Sequence, residues 1–311
     1  MPFELTILGS SSALPTSERY PTAQVLNVLE RFFLIDCGEG AQIQLRRMKL
    51  KMGKIRHIFI SHLHGDHYFG LPGLISTLKL LGYTNDIHIY AHSELQGLIK
   101  PQLDNMKGGL GFNVIFHPLN LKKPQVVYSC KKVEVSSFPV NHSIPTCGFL
   151  FKEQPGLPNI KKELIKRYKI PIKEIQAIKE GAGFIAEDGK LITHGQLTTL
   201  PPKPRSYAFC TDTRYHEPII EIIKDTSLLY HEATFLDEMR ELAGQTFHST
   251  ARQAATIAMK ANVGKLIIGH FSARYKDITP LADEARQVFP ETYAAHDGDV
   301  FRVARLPTGK E

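Results

Sequence analysis

Three imidazoles and one carboxylate fall within six residues at His62-Leu63-His64-Gly65-Asp66-His67. Donors at this density converge on one place only if the backbone bends between them, and Gly65 permits the bend. Alternate side chains leaving such a bend can reach two neighbouring ions. Imidazole nitrogen with one carboxylate oxygen, and no thiolate nearby, suits Zn²⁺ or a similar divalent ion in a site kept open for water. That is the donor set of catalysis, because structural zinc is usually closed off by cysteines.

The elements around the motif must hold it. Ile55 to Ile60 predicts a short strand before it, and apolar residues at helical spacing from Tyr68 to Leu81 predict a helix after it, which puts the motif on the intervening loop. Upstream, Met1 to Gly9 reads as a first strand, Gly9 to Tyr20 as a small-residue loop able to lie over a ligand, and 25–28 with 31–35 as a hairpin. The string Asp36-Cys37-Gly38-Glu39-Gly40 ends that hairpin, either as a turn or in touch with the metal region, and a helix follows over 41–48. Downstream the pattern predicts strand 87–91, helix 94–105, strand 114–117 and two strands within 126–138.

Apolar runs then end repeatedly in a histidine or an aspartate. His142 follows the strand ending near 138, Asp212 follows 207–210, His231-Glu232-Ala233-Thr234 follows 227–230, and His270 follows 265–268. His248 precedes Thr250, a residue type that caps helices. Open α/β sheets place their chemistry just beyond strand ends, so this regularity is a second sign of one site. The alternation of strands and helices, with hairpins mixed in, predicts an α/β layered fold with mixed sheets.

The 311 residues carry a formal charge of +7, 42% hydrophobic and 22% charged residues, ordinary for a globular protein with a sizeable core. Residues 153–205 break the rhythm with Pro155, Pro158, Pro171, Pro201, Pro202 and Pro204, a helical piece at 161–168 and a Gly181-Ala182-Gly183 turn. Ten Lys or Arg against six Asp or Glu give this segment +4 of the chain's +7. Such an insertion suits an arm that grips a phosphate backbone, each neutralised phosphate adding affinity and salt sensitivity. Cys37, Cys130, Cys147 and Cys210 form no C-x-x-C pair and read as reduced thiols. The first residues lack a signal-peptide pattern and no window is apolar enough to span a bilayer, so a cytoplasmic protein without a membrane partner is expected.

Together these residues resemble the metallo-β-lactamase superfamily and, within it, the ribonuclease Z family, endonucleases that trim the 3′ end of precursor tRNA. The resemblance rests on Gly9 to Arg19 with Pro15-Thr16, the Asp36 turn, His62 to His67, Asn141-His142, Thr211-Asp212-Thr213, the His231 to Thr234 string, His248-Ser249-Thr250 and Gly269-His270-Phe271-Ser272. It implies one domain over 1–311, a four-layer αβ/βα sandwich, with 153–205 as an inserted tRNA-binding arm. It implies two Zn²⁺ per subunit, one held by His62, His64 and His142, the other by Asp66, His67 and His270, with Asp212 bridging. Asp66 would then be the general base, and His248, oriented by Glu232, the general acid. Products would carry a 3′-hydroxyl on the tRNA and a 5′-phosphate on the trailer. Lys161, Lys162, Lys166, Arg167 and Lys169 would contact phosphates without reading sequence. The family also implies a homodimer in which one subunit's arm serves the other's site. The chain departs from the pattern at the arm tip, where no Gly-Pro-rich stretch is evident and Gly181-Ala182-Gly183 is a weak substitute.

Two other readings share part of this pattern. A hydrolase of the same superfamily acting on small phosphodiesters would keep every ligand but need no basic insertion. A non-catalytic RNA-binding module with structural zinc would have no use for an open coordination position and a base at Asp66.

Overall fold

The computed structural model describes residues 2–306, so Met1 and 307–311 of the expected 1–311 domain lie outside the described residues. Along the chain come β1 (Phe3–Gly9), the hairpin β2 (Ala23–Val28) and β3 (Arg31–Cys37), α1 (Ala41–Arg47), β4 (Ile55–Phe59), α2 (Gly65–Tyr68), α3 (Gly70–Leu80), β5 (Ile87–Ala91), α4 (Leu95–Asp104) and β6 (Val114–Pro118). Next are β7 (Gln125–Ser129), β8 (Val133–Pro139) and β9 (Cys147–Glu153), then the basic segment with β10 (Asn159–Ile160), α5 (Lys162–Arg167), α6 (Ile172–Lys179), β11 (Phe184–Ile185), β12 (Leu191–Ile192), α7 (His194–Leu197) and β13 (Thr198–Thr199). The last third holds β14 (Ser206–Cys210), β15 (Leu228–Glu232), α8 (Arg240–Gln245), α9 (Ala251–Lys260), β16 (Leu266–Gly269), α10 (Thr279–Arg286), β17 (Thr292–Ala294) and β18 (Val300–Arg302).

The described residues divide into two units, one from 2–153 and 205–304, the other from 154–204 and 305–306. In the larger unit one sheet has the order β18-β1-β2-β3-β4-β5-β6 and the other β17-β16-β15-β14-β9-β8-β7. The first is antiparallel through β1 to β3 and parallel from β3 to β6, the mixed sheet that the sequence pattern predicts. Strand periodicity sorts the side chains. Phe33, Phe59, Phe149, Phe151 and Phe209 meet in the core between the sheets. Their strand neighbours Leu34 and Ile58 face outward, packed with residues of α1, α3 and α4. On the second sheet Leu229 and Ile268 face outward into residues of α9 and α10. Burying a side chain of this size contributes about 1.5–3 kcal/mol. The result is four layers, helix, sheet, sheet, helix, as the metallo-β-lactamase resemblance implies.

Two local features aim the loops. A Cβ on Gly70 would lie 2.1 Å from the backbone oxygen of Gly38, so only glycine lets α3 start against the end of β3. Thr250 caps α9 as its position predicts: its hydroxyl accepts from the Gln253 amide, and the Gln253 side chain accepts in return from the Thr250 amide.

The motif itself differs from a plain loop. Residues 65–68 close one helical turn, so Asp66 and His67 sit on α2 rather than in an irregular segment. β9 escaped the sequence reading because Cys147 to Phe151 is a short central run, buried at nearly every position and so without alternation. α10, β17 and β18 are too short to display a period.

The smaller unit has its own apolar cluster, Ile160, Ile170, Ile178, Ala186, Ile192 and Leu197, closed by the pairs β10·β13 and β11·β12. Its α5 falls within the helical piece read at 161–168.

Candidate metal centre

Asp212 follows β14 with φ 47°, His270 follows β16 with φ 59°, and Asp36 near the end of β3 has φ 52°. Left-handed backbone is uncommon for residues other than glycine, and here three strand ends adopt it beside one another's side chains. Asp212 is almost fully buried. Its Oδ1 lies 3.2 Å from Nε2 of His67 and 3.2 Å from Nε2 of His270, while its Oδ2 lies 3.6 Å from Nε2 of both His62 and His142. Nδ1 of His64 is 3.0 Å from His62 Nε2 and 3.2 Å from His142 Nε2. Asp66 Oδ2 is 3.2 Å from His67 Nε2 and 3.6 Å from His270 Nε2. The seven side chains singled out in the sequence therefore gather into two donor groups, His62, His64, His142 with Asp212, and Asp66, His67 with His270, and His248 joins Asp212 and His270 in a third.

These residues fit divalent cations. Nε2 of His67 and of His270, though close to Asp212, are buried without a hydrogen bond among the described residues. Burial opposes charge on His67, yet Asp66, Asp212 and Asp36 outweigh it and hold the imidazole protonated far above its ordinary range. The carboxylates thus call for positive charge at this point. Burial depresses His62, His64 and His142, leaving the neutral imidazoles that coordinate metal.

A further set of groups fixes the rings. Nδ1 of His67 donates to Asp36 Oδ2 at 2.7 Å, and Asp36 also accepts from the Ser61 amide at 2.7 Å and hydroxyl at 2.9 Å. His142 Nδ1 donates to the Phe247 carbonyl at 3.0 Å, His62 Nδ1 meets the Ser61 hydroxyl at 3.0 Å, and His270 Nδ1 meets the Thr234 hydroxyl at 3.1 Å. Such partners set the tautomer and raise ligand basicity. Asp36, left open between turn and metal region by its sequence, is a support for His67. Ser61, Thr234 and Phe247 were not singled out, and only Thr234, inside the His231 to Thr234 string, carried a sequence signal.

Glu232 is wholly buried and fully engaged. Its Oε1 accepts from His248 Nδ1 at 2.9 Å and the Thr213 amide at 2.8 Å; its Oε2 accepts from the Thr234 hydroxyl at 2.7 Å and the Ser249 amide at 3.1 Å. Burial works against charge on His248, but the Glu232 carboxylate prevails and raises its pKa to about 9. With Nδ1 taken, Nε2 is the atom left to exchange a proton. His231, the first residue of the same string, spends its Nδ1 on the Glu232 carbonyl and does not line the pocket.

The pocket is about 540 Å³ and is lined by His64, Asp66, His142, Asp212, His248 and His270 together with Ser12, Ala13, Pro15, Pro21, Glu39 and Phe69. In the smaller unit Lys162, Lys166, Arg167 and Lys169 are exposed and Lys161 is half-buried.

A curated protein of Phocaeicola vulgatus named Ribonuclease Z is 48% identical over 295 residues, covering 95% of this chain and 96% of that one. The chain belongs to the ribonuclease Z family. A Ribonuclease Z of Bacteroides thetaiotaomicron is likewise 48% identical, over 95% of this chain and 93% of its own length. Among solved structures, the short form of human tRNase Z superposes with a TM-score of 0.71 at 26% identity, covering 97% of this chain and 99% of that one. A family model described as Anti-Pycsar protein Apyc1 also matches, over residues 3–161, half of the chain. That match takes in His62 to His67 and His142 but ends before Asp212, Glu232, His248 and His270, which the ribonuclease Z relatives span.

Proposed function

We propose that the chain removes the 3′ trailer of precursor tRNA by hydrolysing the phosphodiester 3′ of the discriminator nucleotide at a pair of zinc ions, leaving a tRNA 3′-hydroxyl and a trailer 5′-phosphate. Membership of the ribonuclease Z family makes it a hydrolytic endoribonuclease of tRNA 3′ processing. The observation that carries it is Asp212, whose two oxygens each face a separate set of imidazoles.

His62, His64 and His142 would hold one ion, Asp66, His67 and His270 the other, with Asp212 shared. Imidazole and carboxylate donors without thiolate suit zinc, as they do similar divalent ions. When bound, two such cations supply Lewis acidity at the phosphoryl oxygens and make water at the site more acidic. Asp66, at the pocket surface, accepts a proton from the attacking water. Burial would raise its pKa, but His67 and His270 overcome that and keep the carboxylate ionised. His248 donates the proton at Nε2 to the departing ribose 3′ oxygen, while Glu232 holds the ring through Nδ1 and favours its charged form.

The segment 153–205 is read as the tRNA-binding arm, with Lys161, Lys162, Lys166, Arg167 and Lys169 contacting phosphates. A homodimer is supported by Ile43, Leu80, Leu81 and Leu98, apolar side chains exposed on α1, on α3 and the residue after it, and on α4. No helix among the described residues is long and apolar enough to cross a membrane. The cysteines are free, three of them buried, which fits a reducing compartment, and the cytoplasm is the proposed location.

The test is to incubate zinc-loaded protein with precursor tRNA bearing a trailer and map the product ends. One cut after the discriminator with a 3′-hydroxyl supports the reading; turnover of bis(p-nitrophenyl) phosphate with no cut in precursor tRNA would move the substrate to a small phosphodiester.

A further inference from the structure

Phe69 is 60% exposed, and it is the one aromatic residue other than histidine lining the pocket that holds the metal donors. Its ring packs against its own helical turn. Phe69 joins α2 to α3, its amide donates to the Gly65 carbonyl, and its ring lies so close over Gly65 that a Cβ there would come within 2.2 Å. Tyr68 packs edge-on against it at 4.9 Å. Beside Asp66 the exposed ring offers a flat apolar face on which another ring can stack.

The surrounding lining narrows what that is. Ala13, Pro15 and Pro21 are apolar, Glu39 is exposed, and no lysine or arginine among the described residues lines the pocket. Away from the metal donors and His248, the charged side chain of this lining is the carboxylate of Glu39, which repels a phosphate. A nucleobase finds a ring to stack on, and Glu39 can accept from a base amino or imino group. His248 marks the side of the leaving 3′ oxygen, hence of the discriminator ribose; its ring neighbours among the described residues are His142, His270 and Phe235, whereas the ring of Phe69 meets that of Tyr68. The substituent that stays on phosphorus is the 5′ oxygen of the trailer.

We infer that Phe69 is a specificity-determining residue that stacks on the base of the first trailer nucleotide, with Glu39 at that base's edge. This rests on the tRNA reading proposed above. Stacking is tolerant of base identity, so the contact would select for an unpaired nucleotide after the cut rather than for a sequence.

The experiment measures kcat/KM for the wild type, Phe69→Ala and Phe69→Trp on three precursors: unmodified, abasic at the first trailer position, and abasic at the discriminator. Phe69→Ala should lose roughly tenfold on the unmodified substrate, chiefly in KM, and Phe69→Trp should retain most of the activity. The wild type should lose a similar factor on the trailer-abasic substrate, on which wild type and Phe69→Ala become equal. That convergence is what a folding defect cannot produce. An equal Phe69→Ala loss on all three substrates, or convergence on the discriminator-abasic substrate instead, overturns the assignment. Wild-type protein that hydrolyses bis(p-nitrophenyl) phosphate but cuts no precursor would fail at the earlier step and remove the tRNA reading itself, and this proposal with it.

Discussion

Nδ1 of His248 lies 2.9 Å from Oε1 of Glu232, and Glu232 is buried at the end of β15 where no water competes for its charge. His248 also stands in a donor group with Asp212 and His270, but Glu232 stands in none among the described residues, so Glu232 can be changed without removing a ligand. Glu232→Gln keeps the shape but removes the charge that favours imidazolium. The expected result is a loss of about a hundredfold in kcat on precursor tRNA with zinc content unchanged, measured by steady-state kinetics beside metal analysis.

Asp36 acts one step further from the chemistry. Asp36→Asn would leave His67 Nδ1 facing a weaker acceptor and cost about tenfold to a hundredfold in metal affinity. Competition with a chelator reads this out directly, and saturating zinc should restore most of the activity. Lost activity at full metal occupancy would show that Asp36 does more than support His67.

A third prediction concerns stability against pH, away from the metal. His57 on β4 lies stacked against His88 at 5.1 Å and close to Tyr128, and burial first, then His88, His117 and Arg56, push its pKa down to about 4. A depressed folded value means stability is whole above the unfolded value near 6.5 and is lost as pH falls toward 4. By pH 5 the loss is ~1–2 kcal/mol after allowing for the ring's exposed edge. Thermal unfolding at pH 7 and pH 5 should show a smaller drop in Tm for His57→Phe than for the wild type; equal drops would place the acid sensitivity elsewhere.

For the arm, replacing Lys162, Lys166, Arg167 and Lys169 by alanine should raise KM for precursor tRNA at least tenfold at low salt while kcat changes little. The slope of log(kcat/KM) against log salt should flatten by about 0.7–0.9 for each phosphate contact removed. An unchanged slope would mean that these side chains are simply solvated.

Legibility in the sequence followed how local each signal is. His62 to His67 crowd six positions, and His142, Asp212 and His270 each close an apolar run, so their convergence could be read before the fold was known. Thr250 announced α9 through its capping chemistry. The supports were hidden because they are long-range or use backbone: Ser61 reaches Asp36 across 25 residues, and His142 is held by the Phe247 carbonyl, which no side-chain pattern records. β9 was hidden by its own burial. A strand covered on both faces loses the alternation that reveals strands at all.

The most direct test of the account concerns the proton that His248 is assigned to deliver. Cleavage by the wild type and by His248→Ala should be compared on a precursor tRNA with its natural 3′ oxygen at the scissile bond and on one with sulfur in that position, since a thiolate leaves without protonation. The account predicts a loss of about 10²–10⁴ for His248→Ala on the oxygen substrate and near wild-type rates on the sulfur substrate. An equal loss on both would contradict it and reduce His248 to a residue that holds the site in shape.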